Sequence, residues 1–127
     1  MPTDLPTTIL FLGRLLLGGA FLVFGLRNIG SIPALTGALT GRRLPMPRVA
    51  ATIGVGLQIV GGLMTAIGPW SLLGGILLIV FLVLATALFH PFWEYQGEER
   101  KPHVNAAIMN TSLTGAFLLV IAASLIN

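Results

Sequence analysis

The chain has 127 residues, of which 55% are hydrophobic and only 9% are charged, and its net charge at neutral pH is +3. Soluble domains contain about 25% charged residues, so this composition predicts an integral membrane protein. The chain has no cysteine, which excludes disulfides, thiolate metal sites and cysteine nucleophiles. Because membrane topology accounts for the basic residues, we expect no nucleic-acid partner.

Four apolar stretches are each long enough to cross a bilayer, which takes about 20 residues in a helix. We predict spans over residues 7–28, 49–67, 70–90 and 104–126. Such spans must be helical, because the open edge of a sheet leaves backbone polar groups unsatisfied in lipid. The sequence therefore predicts an all-α integral membrane four-helix bundle that forms a single domain over residues 1–127.

The first two connections between the predicted spans differ in length. Gly68 and Pro69 predict a tight turn between the second and third spans. The longer first connection contains the sequence SIPALTGALTG at residues 31–41. Its apolar residues follow helical spacing, Ser31 is a candidate N-cap, and Gly41 is a candidate stop. We therefore predict a short interfacial helix between spans one and two.

The distribution of basic residues predicts the orientation of the chain. Apart from one arginine inside the first span, they lie in or beside the first and third connections, at Arg27, Arg42, Arg43, Arg48, Arg100 and Lys101. The positive-inside rule places such loops in the cytoplasm. We therefore expect the loops over residues 28–48 and 91–103 to be cytoplasmic and both termini to lie outside.

Glycines recur inside the predicted spans, at positions 18, 19, 54, 56, 61, 62, 74 and 75. Small residues let membrane helices approach closely. The pattern favours tight packing within one bundle, and its alternative is a glycine-lined face that forms a homodimer.

Arg14 is the only charged residue well inside a predicted span, and no span contains an acid to neutralise it. Gln58 in the second span is the polar residue closest to it in predicted depth, so we expect a hydrogen bond between the two side chains. Intramembrane ionisable residues are functional-site candidates. Arg14 and Gln58 are therefore candidate ligand-binding residues, and the structural alternative is an arginine that extends to the outer interface.

A second polar cluster is expected where the first, third and fourth spans reach the predicted cytoplasmic face. Its candidate ligand-binding residues are Arg27, Asn28, His90, Trp93 and Asn110. His90 has a side chain that titrates near neutral pH, so it is a candidate for proton transfer or for binding a quinone carbonyl. The alternative is a histidine that only completes the third helix. His103 is expected to be solvated, and the two histidines fit no standard metal spacing.

The segment ALFHPFW (87–93) resembles the end of the third span in the DoxX family of small bacterial membrane proteins. The similarity extends to LGRLLLGGAFLVFGLRN (12–28), GVGLQIVGGLMTAIG (54–68) and the asparagine of IMNTSL (108–113), and so covers nearly the whole chain. The resemblance implies a four-helix protein of the bacterial inner membrane. It also implies a link to membrane oxidoreductase systems, including thiosulfate:quinone oxidoreductase and thiol-oxidative-stress complexes.

The chain departs from the family pattern at three positions. The resemblance implies a glutamate at position 58, paired with the arginine that matches Arg14, where this chain has Gln58. It also implies lysines at the positions of Asn28 and Met109. Without the glutamate, a proton route through the second span is not expected here.

Three functions are compatible with these features. The first is an accessory or quinone-linked subunit of a membrane oxidoreductase or oxidative-stress system, with a membrane or cytoplasmic oxidoreductase subunit as its partner. The second is a module that binds or transports a small ligand, a lipid or an anion. The third is a structural partner of another membrane protein. Because the chain lacks cysteines, a haem-binding pair and a flavin motif, we do not expect it to catalyse redox chemistry alone.

Overall fold

A computed structural model describes residues 4–126, and every regular element in that range is helical. The five α-helices are α1 (Leu5–Asn28), α2 (Ile32–Gly41), α3 (Pro47–Ala66), α4 (Ser71–Phe89) and α5 (Arg100–Ile126). Short 3-10 turns occur at Ile29–Ser31, Gly68–Trp70, Phe92–Glu94 and Gly97–Glu99. Four candidate spans, which contain α1, α3, α4 and α5, are long and apolar enough to cross a membrane. The predicted all-α architecture with four membrane helices is confirmed.

Local features of the sequence are compatible with the observed starts of α1 and α5. Asp4 caps α1, since its carboxylate accepts a hydrogen bond from the backbone N–H of Thr7 at 3.3 Å. Hydrogen bonds from the side chain and the backbone N–H of Thr7 lower the pKa of Asp4. Helix α5 begins at Arg100, before the predicted start of the fourth span, and Pro102 lies in its first turn, where no intrahelical N–H bond is needed.

The short helix predicted between the first two spans is α2, and it ends at Gly41 as expected. The predicted N-cap is wrong, because the Ser31 side chain makes no capping hydrogen bond. Residues Ile29–Ser31 form a 3-10 turn that joins α1 to α2. Ser31 consequently has φ −96° and ψ 1°, whereas an N-cap residue usually has an extended backbone.

Glycine contacts join the four long helices in the order α1–α3–α4–α5. A Cβ atom on Gly62 of α3 would lie 2.6 Å from the carbonyl oxygen of Gly18 in α1. A Cβ on Gly74 of α4 would lie 2.5 Å from the backbone nitrogen of Thr65 in α3, and one on Gly75 would lie 2.9 Å from Ile121 in α5. The predicted use of glycine for close packing within the bundle is confirmed.

Aromatic side chains connect α1 to the α4–α5 pair. Phe21 of α1 makes edge-to-face contacts with Phe81 of α4 and Phe117 of α5, with ring centroids 6.3 and 5.3 Å apart. Phe117 is fully buried together with Leu78 and Leu82 of α4, and these three residues form the centre of the core. Close glycine contacts therefore join α1 to α3, α3 to α4 and α4 to α5, and phenylalanine contacts join α1 to α5.

The bundle has two different ends. The turn end is the end that carries Gly68–Trp70, and the loop end is the end that carries residues 29–46 and 90–99. At the loop end, the Arg42 guanidinium donates two hydrogen bonds to the Glu94 carboxylate, at 3.3 and 3.0 Å. This ion pair joins the first and third connections, so the two basic loops share one face of the bundle. That this face is cytoplasmic stays a prediction.

Candidate functional site: an apolar cavity at the loop end

A cavity of about 740 Å³ occupies the loop-end half of the bundle. Ligand sites in proteins typically enclose about 300–1,000 Å³. Most of the lining is aliphatic or aromatic, and the polar side chains among the described lining residues are Asn28, Gln58, His90 and Asn110. None of these lining residues is an acid, a lysine or an arginine. The cavity is therefore suited to an apolar molecule with a few uncharged polar groups.

Helix α2 forms one wall of this cavity. Its residues Leu35 and Leu39 line the cavity together with Leu44 of the following loop. Leu39 is only 2% exposed. The apolar face that the sequence predicts for an interfacial helix is thus turned partly toward the bundle, where it covers the cavity.

Part of the cavity wall is also the outer surface of the bundle. Phe24, Ile53 and Leu84, from α1, α3 and α4, line the cavity while being 61%, 58% and 49% exposed. These apolar side chains lie on membrane-spanning helices, so their exposed parts face lipid. The cavity therefore borders the lipid-facing surface of the bundle.

Asn28 and Gln58 form one polar pair in the cavity. The Asn28 side-chain amide donates a hydrogen bond to Gln58 Oε1 at 2.9 Å. Gln58 is buried, with 7% of its surface exposed. A side-chain amide has two N–H donors and an acceptor oxygen, so this bond leaves each residue with further hydrogen-bonding capacity. The pair can both orient itself and bind a ligand.

The predicted hydrogen bond between Arg14 and Gln58 is wrong. A Cβ on Gly25 would lie 2.9 Å from the Cβ of Gln58, so Gln58 packs against the loop-end part of α1. Arg14 lies 11 residues earlier in α1, about 16 Å along the helix axis. The contact between Gly18 and Gly62 fixes this register, and it separates Arg14 from any side chain at position 58. The arginine–glutamate pair implied by the resemblance therefore has no counterpart here.

His90 and Asn110 form the opposite polar side of the cavity. The Asn110 amide donates to Thr86 Oγ1 at 2.9 Å, and Thr86 is held by its own bond to the carbonyl of Leu82 at 2.8 Å. Nδ1 of His90 lies 3.2 Å from Nδ1 of His103. One of these two nitrogens must carry the proton for a hydrogen bond to form.

His103 is not a freely solvated loop residue, and that prediction is wrong. It lies in the first turn of α5, where its ring stacks on Tyr95 at a centroid distance of 4.0 Å. Together with the contact to His90, this stacking fixes the orientation of both imidazoles. The described residues contain no group of three or more His, Cys, Asp or Glu side chains that could hold a metal ion.

Three of the predicted candidates lie outside the cavity: Arg14, at the turn end of the bundle, Arg27 and Trp93. Arg27 is exposed at the end of α1. Trp93 is 60% exposed and packs edge-on against Phe92, which is typical of an aromatic anchor at a membrane interface. Neither Thr86 nor α2 was predicted from the sequence to form part of the site. The available signal for Thr86 is an isolated threonine in an otherwise apolar span.

Comparisons with known proteins agree with this fold. The DoxX family model matches residues 9–91. The chain is also 23% identical, over 112 residues, to the inner membrane protein YphA of Escherichia coli K12, covering 88% of this chain and 80% of that protein. No solved structure matches the chain. The four membrane helices and the likeness to YphA support a multi-pass protein of the inner membrane, and the family match shows that the chain belongs to the DoxX family.

Proposed function

We propose that this DoxX-family protein binds a quinone-class molecule in the loop-end cavity and acts as a quinone-linked accessory subunit of a membrane oxidoreductase or oxidative-stress system. The observation that carries the proposal is the cavity itself. It encloses about 740 Å³, and its lining is predominantly apolar. Its polar groups are the amides of Asn28, Gln58 and Asn110 and the imidazole of His90, none of which carries a fixed charge.

A quinone fits the chemistry of this lining. Its two carbonyl oxygens accept hydrogen bonds, and the amide N–H groups of Gln58, Asn28 and Asn110 are donors that line the cavity. A permanently charged ligand is disfavoured, because burying an unpaired charge among apolar side chains costs far more than burying a hydrogen-bonded neutral group. The apolar tail of a quinone can extend toward the lipid, because Phe24 and Leu84 line the cavity and are also exposed on the outer surface of the bundle.

The electrons for such a quinone must come from a partner. The chain contains no cysteine and no haem or flavin motif, so it offers no redox group of its own. The loop end presents the exposed basic residues Arg43, Arg48, Arg100 and Lys101. These charges suit the docking of an acidic surface on a soluble oxidoreductase, because complementary charge steers protein association.

Competitive photolabelling tests the proposal. The protein in lipid nanodiscs is irradiated with an azido-ubiquinone analogue, and the labelled peptides are identified by mass spectrometry. We expect labelling within residues 50–58 and 81–90, and we expect it to fall when decylubiquinone is added in excess. Labelling that is spread over all lipid-facing helices and is insensitive to decylubiquinone would show only partition into the bilayer.

Two glycine variants on the same helix provide a matched comparison. Gly54 lines the cavity and Gly56 does not, and a Cβ on either meets nothing within 4 Å. Gly54→Phe therefore fills the cavity without a backbone clash, while Gly56→Phe places the same ring elsewhere on α3. We expect at least a tenfold loss of competable labelling in Gly54→Phe and little change in Gly56→Phe. Equal labelling of the two variants would place the quinone outside the cavity.

A further inference from the structure

The guanidinium of Arg14, at the turn end of the bundle, has a buried N–H donor without a hydrogen-bond partner among the described residues. Its Nε atom is fully buried and has no hydrogen-bond partner within residues 4–126. Its Nη2 atom lies 3.4 Å from the position that a Cβ on Gly68 would occupy. The guanidinium therefore rests against the turn between α3 and α4, within contact distance of the position that a side chain at Gly68 would occupy.

No carboxylate of the described residues is placed to neutralise Arg14. The acids of the chain are Asp4, Glu94, Glu98 and Glu99. Asp4 caps α1 and lies ten residues before Arg14, about 15 Å along the helix. The three glutamates lie at the loop end, on the other side of the membrane span. A charge within a membrane helix normally pairs with another group, and residues 4–126 supply no such partner for Arg14.

The surroundings of Arg14 place it where lipid headgroups lie. Trp70, in the adjoining turn, is 56% exposed, and tryptophan is enriched at the level of the headgroups. Helix α1 continues about 13 Å beyond Arg14 to Leu5. The guanidinium therefore lies in the corner where α1 extends past the turn. Because Nε is sealed, a ligand reaches the guanidinium at its Nη edge.

We propose that Arg14 and the turn at Gly68 form a binding site for a phosphate-type oxyanion, with the phosphodiester of an anionic phospholipid as its ligand. The planar guanidinium presents paired N–H donors that match two oxygens of a phosphate. The proposal concerns the opposite end of the bundle from the quinone cavity and does not depend on it. Free phosphate has the same chemistry, and the test separates the two sources.

Native mass spectrometry of protein released from phosphatidylcholine vesicles containing phosphatidylglycerol measures the lipid bound. We expect one phosphatidylglycerol to be retained by the wild type and by Arg27→Gln, which removes an exposed arginine from the same helix. We expect retention to fall at least tenfold in Arg14→Gln. Gly68→Val keeps the arginine but crowds Nη2, and it should also lose the lipid. Equal retention in all four proteins would overturn the lipid site.

The second arm uses inorganic phosphate. The Nε resonance of Arg14 is followed by ¹⁵N NMR in nanodiscs of phosphatidylcholine alone, with and without phosphatidylglycerol. A shift caused by phosphatidylglycerol and not by millimolar phosphate identifies the lipid as the ligand. A saturable shift with phosphate that displaces phosphatidylglycerol would identify the free anion as the competing source and confirm the oxyanion site. No shift with either would overturn the proposal.

Discussion

Replacing Gly62 with alanine tests whether the contact between α1 and α3 fixes the register of the bundle. The added Cβ would lie 2.6 Å from both the Gly18 carbonyl oxygen and the Leu22 backbone nitrogen. Both neighbours are backbone atoms, so neither can rotate away. Restoring an ordinary separation of 3.4 Å requires the helices to move apart by 3.4 minus 2.6, or 0.8 Å. Overpacking of this kind costs about 1–3 kcal/mol.

Helix propensity acts in the opposite direction, because alanine is favoured over glycine in a helix by about 0.5–1 kcal/mol. The balance for Gly62→Ala is a loss of about 1–2 kcal/mol in the free energy of unfolding, or roughly a tenfold change in the unfolding equilibrium. Gly56→Ala, on the same helix, meets nothing within 4 Å, so only the propensity gain applies and the variant should be more stable than the wild type.

Unfolding by sodium dodecyl sulfate in mixed micelles, followed by circular dichroism, measures both variants under the same conditions. We expect the midpoint to fall in Gly62→Ala and to rise or stay unchanged in Gly56→Ala. If Gly62→Ala proved as stable as Gly56→Ala, the close backbone contact between α1 and α3 would not exist in the membrane. The helix register that separates Arg14 from Gln58 would then not be fixed by this contact either.

Three further changes probe the polar groups. Gln58→Leu should lower the free energy of unfolding by about 1–3 kcal/mol, because it leaves the Asn28 amide without its acceptor. Gln58→Glu keeps an acceptor, so its free energy of unfolding should fall less in the same detergent titration. Because the pKa of Asp4 is lowered in the folded protein, its contribution to stability is present above the ordinary carboxyl pKa and is lost as the pH falls through its own pKa. The thermal unfolding temperatures of Asp4→Ala and the wild type should therefore differ near pH 6 and converge near pH 2. Arg42→Ala should open the loop end without unfolding the bundle, so proteolysis of the connection around Glu94 should become faster. An unchanged cleavage rate would mean that the ion pair does not hold the two loops together.

The number, length and order of the helices could be predicted from the sequence because hydropathy and glycine content act locally. Four long apolar runs leave little choice in a bilayer, and Gly41 and Gly68 mark helix ends whatever the tertiary structure. Helix α5 begins at Arg100, four residues before the predicted span, because a helix can extend past the membrane surface. Hydropathy measures the part of a helix within the lipid and not the whole helix.

The partners of individual polar side chains could not be predicted, because they depend on register. Matching Arg14 with Gln58 assumed that both helices begin at the same depth. The backbone contact between Gly18 and Gly62 instead moves α1 so that Asn28 meets Gln58. Because that contact joins two backbones and involves no side chain, the hydropathy and polarity of the sequence do not predict it. The cavity wall formed by α2 is a tertiary feature of the same kind.

The most direct test of the account is a native mass spectrum of the protein extracted gently with its own membrane lipids. We predict an adduct with the mass of a quinone on the wild type and on Gly56→Phe, and none on Gly54→Phe, in which the phenylalanine fills the cavity. The same quinone adduct on all three proteins would contradict the cavity as its site. Phospholipid alone on all three would contradict the proposal that this protein binds quinone.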